Sequence, residues 1–225
     1  MTIAEALSRV RARIDAAARA AGRSPGDVKL VAVSKTKPPE AIRAAYAAGQ
    51  RAFGENYAQE LVAKAEALAD LVDLEWHFVG HLQTNKARFA ARIAHVVHTV
   101  DTSVLANELG KRAARDRSTP LAVLIEVNVG REPQKAGASP GEILEVIDAV
   151  RAQPALRLRG LMTVPPAGDP AAARIAFETL ALLRNLHGGA ALLPDLSMGM
   201  SDDLEAAVAS GATYVRVGRA IFGDR

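Results

Sequence analysis

The sequence predicts an α/β fold: a single-domain (β/α)8 TIM barrel with an extra N-terminal helix. Three observations carry that expectation. Eight strand-like runs alternate with helical patterns over 225 residues. The stretch after the first run, "VSKTKPP", contains no glycine, whereas an open doubly wound sheet would carry a Gly-rich turn there. The eighth run extends almost to Arg225, which leaves no room for an eighth outer helix, so an N-terminal helix is needed to cover that side.

That helix is the first element. In residues 1–24, "MTIAEALSRVRARIDAAARAAGRS", the apolar Ile3, Leu7, Val10 and Ile14 recur at helical spacing. The segment lacks the apolar core of a secretory signal, and Glu5 and Asp15 argue against an organellar transit sequence. The strand runs follow in order: "VKLVAVSK", "RAFGEN", "EWHFVG", "VVHTVD", "LAVLIEVNV", "LRLRGLMTV", "LPDLSMGM" and "YVRVGRAIFG". Among the intervening helices, one places Ile143, Val146, Ile147 and Val150 on one face after "SPGE", a Ser-Pro opening that suits a helix N-terminus. Another places Leu204, Ala207, Val208 and Gly211 on one face. Residues 1–225 therefore read as one barrel domain, with 1–24 as its covering helix.

Composition narrows the function. A formal charge of +3, with no segment that mixes Lys and Arg among aromatics, argues against nucleic-acid binding. No apolar run approaches the roughly 18 residues of a membrane span. There is no cysteine, which excludes disulfides, thiolate metal sites and a cysteine nucleophile. A soluble, cytoplasmic, monomeric protein is expected.

In such barrels the reactive side chains lie where strands end. Lys35 ends the first strand, and Val31, Val33 and Lys35 share one parity. If that face is the interior, Lys35 tops a packed column, where partial desolvation lowers its pKa and frees its amine for Schiff-base chemistry. From position alone, Lys35 and Lys37 as solvated loop charges is an equal alternative. The C-terminal third shifts the balance. "SMGMSDDLEAA" ends the seventh strand and opens a helix, with Ser201 or Asp202 as N-cap and Gly199 allowing close backbone approach to a ligand. The eighth strand places Tyr214, Arg216 and Gly218 on one parity. Loops after strands seven and eight are the recurrent phosphate site of this architecture, and closure sets strand eight beside strand one. A phosphate, an amine-reactive group and a partner for Arg216 together describe pyridoxal 5′-phosphate (PLP). A PLP-independent lyase that forms a Schiff base with a sugar phosphate is the alternative, although a sugar phosphate has no ring nitrogen for Arg216.

Over nearly its whole length the chain resembles the pyridoxal phosphate homeostasis protein family. The residues that carry the resemblance are "VAVSKTKP", "FGENYAQE", "WHFVGHLQTNK", "VN" followed by "EPQKAG", "RGLMT", "LSMGMSDDLEAAV" and "VRVGRAIFG". The resemblance implies a PLP-binding barrel akin to the cofactor domain of alanine racemases. It implies that Lys35 carries PLP as a Schiff base, that Ser201, Gly218 and the next residue occupy the phosphate-binding positions, and that Arg216 faces the pyridine nitrogen. It further implies a carrier that buffers PLP and delivers it to apo PLP-dependent enzymes without turnover. A racemase-like enzyme is the alternative, with Tyr57 the one tyrosine suitably placed to act as a second base. Arg219 departs from the small hydroxyl residue common at its position. Either its backbone N–H and guanidinium serve the phosphate, or its side chain faces solvent.

Other positions attract weaker expectations. Asn56 and Tyr57 follow the second strand and belong at the pocket mouth, although Asn56 suits a helix cap equally well. His77 and His81, four apart, read as structural, and no metal is expected. Gln83, Asn85 and Lys86 read as the polar opening of a helix. Met198 and Met200 belong beside the cofactor or in the core. Lys135 reads as a solvated lysine, with a transient second PLP contact as the sharper alternative.

Overall fold

The computed structural model describes residues 1–223; Asp224 and Arg225, the end of the predicted barrel domain, lie outside the described residues. The apolar runs form short strands buried on both faces, as in "LAVLIE", because side chains fill the inside of the sheet while helices cover the outside. The described residues run α1 (Ile3–Ala20), β1 (Lys29–Val33), α2 (Pro39–Ala47), β2 (Ala52–Glu55), α3 (Ala58–Ala67), β3 (Glu75–Phe78), α4 (Ala87–Ile93), β4 (Val96–Val100) and α5 (Ser103–Asp116). They continue with β5 (Leu121–Glu126), α6 (Ile143–Arg151), β6 (Leu156–Met162), α7 (Pro170–Leu186), α8 (Gly189–Leu192), β7 (Asp195–Ser197), α9 (Leu204–Ala209), β8 (Tyr214–Val217) and α10 (Arg219–Phe222). The strands pair in sequence order and all in parallel, and β8 returns to β1 with Val31 opposite Arg216, so the sheet is a closed eight-stranded barrel. The predicted fold class is the observed one.

α1 starts at a capping box, in which Thr2 and Glu5 bond each other's backbone N–H. Its buried stripe of Leu7, Val10, Ile14 and Ala18 lies against α2, α9 and α10, the helices that flank the β8–β1 seam. From the same helix, Arg13 donates to Glu205 and to the C=O of Ser201 at 3.0 Å.

Several boundaries differ from expectation. The eighth run does not stay extended to Gly223. β8 ends at Val217, and the chain turns at Gly218 into α10, a one-turn helix that buries Ile221. Four residues are too few for periodicity to separate a helical turn from a strand. An eighth outer helix is therefore present in abbreviated form, and α1 packs on it. α6 begins at Ile143 rather than at Pro140, because "SPGE" closes a turn in which the Ser139 N–H donates to the Glu142 carboxylate. Neither Ser201 nor Asp202 caps α9. Asp203 holds that position, and its carboxylate accepts from the Met200 N–H. Gly211 is not on the α9 face; it lies past the helix end at φ 97°, a left-handed conformation that suits glycine.

Candidate functional site

The C-terminal ends of the strands surround a cavity of about 560 Å³. Lys35, Asn56, Ser201, Arg216, Gly218 and Arg219, all singled out from the sequence, line it together. β1 ends at Val33, so Lys35 lies not at the strand end, as expected, but in the turn that follows it. Ala32 and Ser34 are buried toward the helices, whereas Val33 and the half-buried Lys35 line the cavity.

Arg216 enters from β8, below the cavity. It is only 5% exposed; its Nη1 donates to Ser197 Oγ at 2.7 Å and its Nη2 to the Thr163 C=O at 2.9 Å. Burial pulls its pKa down to about 10, with Glu126 and Asp203 opposing, so the guanidinium stays charged at neutral pH. Glu126, at the end of β5, is pushed up to about 7 by burial, and by Asp101, against the pull of Arg216. Its Oε2 is buried without a hydrogen bond.

Beneath Arg216 a polar chain continues into the barrel. Ser197 Oγ lies 2.8 Å from His98 Nδ1, and His98 Nε2 lies 2.8 Å from His77 Nδ1. The Tyr214 ring packs on both imidazoles. Burial lowers both histidine pKa values, that of His98 well below 6.5, with the Arg216 charge adding to the effect there. Arginine can only donate to Ser197, and the Glu75 carboxylate stands 3.8 Å from His77 Nε2. The tautomers that fit both ends send the Ser197 hydroxyl proton to His98 Nδ1 and the His98 Nε2 proton to His77 Nδ1.

On the side of the cavity formed after β7 and β8, Ser201 Oγ accepts from the Ala220 N–H at 3.4 Å, and a Cβ on Gly218 would lie 3.0 Å from the Val33 C=O. Gly199, two residues past β7, has φ 92°, in the left-handed region. The Arg219 guanidinium is exposed at the rim and bonds Asp202. Opposite, Asn56 Oδ1 is buried without a hydrogen bond, and Tyr57 rather than Asn56 holds the N-cap position of α3.

The remaining candidates separate. Tyr57, His81, Gln83 and Lys86 line a neighbouring pocket of about 340 Å³ that shares only Asn56 with the main cavity. His77 and His81 do not meet: His77 is in the barrel interior, while His81 is exposed near Asp101. Among the described residues no three His, Asp or Glu side chains cluster as metal ligands would. Met198 is in the core and Met200 lines the cavity. Lys135 is not simply solvated; it pairs with Glu132 at 2.6 Å in a small pocket beside Glu126. The sequence reasoning missed Ser197, His98, Thr163 and Glu126. The available signal was polar residues set inside otherwise apolar strand runs.

Residues 6–225 match the family model of the alanine racemase N-terminal domain. The chain is 50% identical over 226 residues to the pyridoxal phosphate homeostasis protein of Pseudomonas aeruginosa, covering 100% of this chain and 96% of that protein. It is 44% identical over 228 residues to the protein of the same name from Aquifex aeolicus, covering 100% and 99%. Among solved structures, PipY of Synechococcus elongatus PCC7942 with PLP bound superposes at a TM-score of 0.84 and 38% identity, covering 99% of this chain and 100% of that one. By descent and by fold, the chain belongs to the pyridoxal phosphate homeostasis protein family and to the wider family of the alanine racemase N-terminal domain.

Proposed function

We propose that this protein holds PLP on Lys35 and acts as a reservoir and donor of the cofactor rather than as an enzyme. One observation carries this: a lysine amine, a serine and glycine turn, and a buried guanidinium line a single cavity. The residues fit PLP. Asn56 offers a buried amide oxygen with no protein partner, and Gly218 lines the cavity beside Ser201. When bound, PLP supplies an aldehyde that an amine can capture and a ring that withdraws electrons. Lys35 makes the covalent link, Ser201 and the backbone at Gly218 and Arg219 hold the phosphate, and Arg216 donates to the ring nitrogen. Arginine has no acceptor and keeps its proton, so the ring nitrogen stays unprotonated and electron withdrawal is weak. That suits storage better than turnover. The names of the relatives and the PLP-bound PipY structure lend the same support. A cytoplasmic monomer that passes PLP to apo PLP-dependent enzymes completes the proposal.

Placement of Tyr57 disfavours the racemase-like alternative, because it lines the neighbouring pocket rather than the main cavity. PLP-loaded protein is expected to leave L-alanine unracemised. The reservoir reading is tested by incubation with PLP, borohydride reduction and peptide mass analysis. PLP fixed on Lys35 is expected. A colourless protein without an adduct would overturn the proposal, and a sugar-phosphate adduct in its place would favour the lyase.

A further inference from the structure

Lys35 is followed by a strained residue. Thr36 adopts φ 63°, a left-handed conformation that β-branched residues seldom enter and that persists only where its surroundings enforce it. The enforcing groups come from α3, on the outer side of β1. The Thr36 N–H donates to Glu60 Oε2 at 2.8 Å, and Lys64 Nζ donates to the Ser34 C=O at 2.8 Å. These are the backbone groups immediately before and after Lys35. Lys64 Nζ also donates to Glu60 Oε2 and to Glu55 Oε1, each at 2.8 Å, which uses its three protons. Ser34 Oγ donates to the same Glu55 oxygen at 2.6 Å.

The spacing follows from the helix. Glu60 and Lys64 are four apart, so they sit one above the other on one face of α3 and reach β1 side by side. Lys64 is 6% exposed and Glu55 fully buried; Glu55 meets Lys64 and Ser34 through Oε1, while its Oε2 is buried without a hydrogen bond and burial raises its pKa against the pull of Lys64. None of Lys64, Glu60 and Glu55 lines the main cavity. In the turn after β1, Ser34 bonds Glu55 and Lys64 while Lys35 lines the cavity.

We propose that Lys64 and Glu60 are positioning residues for Lys35. They clamp the backbone on both sides of it from outside the barrel and thereby fix the direction in which its amine enters the cavity. The inference rests on Lys35 being the PLP attachment point. It adds that the covalent hold on PLP depends on an ion-paired cluster that never touches the cofactor. Loss of the clamp lets Thr36 relax from its strained conformation and swings the Lys35 side chain off its aim, while the phosphate side of the cavity is left intact.

Glu60→Ala, Glu60→Gln and Lys64→Met separate positioning from mere stability. Two readouts apply: amide hydrogen exchange at Thr36 in PLP-free protein, and the fraction of bound PLP that borohydride fixes on Lys35. Thermal unfolding identifies the folded variants. In Glu60→Ala, Thr36 exchange is expected to rise about tenfold, the scale of one lost hydrogen bond, and the trapped fraction to fall at matched occupancy. Glu60→Gln keeps an acceptor for Thr36 and should restore most of both. Lys64→Met should behave like Glu60→Ala; if it does not fold, the partly exposed Glu60 carries the test alone. Folded variants with wild-type exchange and wild-type trapping would overturn the clamp. Wild-type protein that traps no PLP on Lys35 would instead sink the functional proposal, and Thr36 exchange in the apo variants would still decide whether the clamp exists.

Discussion

Arg216 donates from Nη1 to Ser197 Oγ at 2.7 Å, across adjacent strands β8 and β7 and beneath the floor of the cavity. The contact joins the guanidinium that lines the cavity to a buried chain running through His98 to His77. Ser197→Ala leaves a charged N–H without its acceptor in a place water does not reach. Destabilisation of about 1–3 kcal/mol is expected in denaturant unfolding, with weaker PLP binding. An unchanged unfolding midpoint would show that the bond contributes nothing.

Glu126 should make stability fall with rising pH. Its folded pKa of about 7 lies above the ordinary carboxyl value, so between about 4.5 and 7 the folded state holds a proton that the unfolded state has lost. That term costs stability as pH rises through this window and levels off above it. The buried histidines act in the opposite direction, since their lowered pKa values cost stability as pH falls below 6.5. The difference between wild type and Glu126→Gln isolates the carboxylate. The variant is expected to gain up to about 3 kcal/mol relative to wild type between pH 4.5 and 8. A pH-independent difference would contradict the burial argument.

His98 should remain neutral at pH 6.5, where an ordinary histidine is half charged. Nitrogen NMR of labelled protein reads this directly. Signals of a neutral ring with the proton on Nε2 are expected, the tautomer that lets Nδ1 accept from Ser197. A charged ring at that pH would contradict the burial argument, and a neutral ring with the proton on Nδ1 would reverse the direction of the chain.

Gly80→Ala tests the seat of Asn56. A Cβ there would stand 2.3 Å from the Asn56 C=O, so the backbone that carries the Asn56 amide must move. A loss of about 1–3 kcal/mol is expected from such overpacking, along with weaker PLP binding. Gly26→Ala, where a Cβ meets open space, is the control and should change PLP binding little.

The barrel was legible because alternation of strand and helix survives even when single boundaries slip by several residues. Val31, Val33 and Lys35 share a parity readable from the sequence, and strand order then brings Lys35 beside Arg216. The partners of Arg216 were not legible. Ser197 and His98 lie 99 residues apart, and their contact exists only once seven strands have curved round an axis. In "VVHTVD" His98 stands out as a polar residue in an apolar run, but nothing local says which way it faces or that it meets Ser197. α10 was missed for another reason: Ile221 and Phe222 extend the β8 run in apolar character, and only the turn at Gly218 separates them. The Lys64 clamp was hidden because a lysine on an amphipathic helix reads as solvated.

Closure of β8 onto β1 also governs how the molecule is made. Lys29 pairs with Tyr214 and Val31 with Arg216, so the sheet is sealed by contacts between the strand of the barrel made first and the one made last. α1, synthesised before any of them, docks on α9 and α10, which are synthesised among the last. Such distant pairings form slowly, and until they form the early helix has α2 but not α9 and α10 to pack on, and the strand edges of a half-built barrel stay open. Lys35 and Arg216 therefore line one cavity only after β8 has been made and has closed on β1. A nascent or truncated chain holds no cofactor cavity, and it is the form most exposed to aggregation.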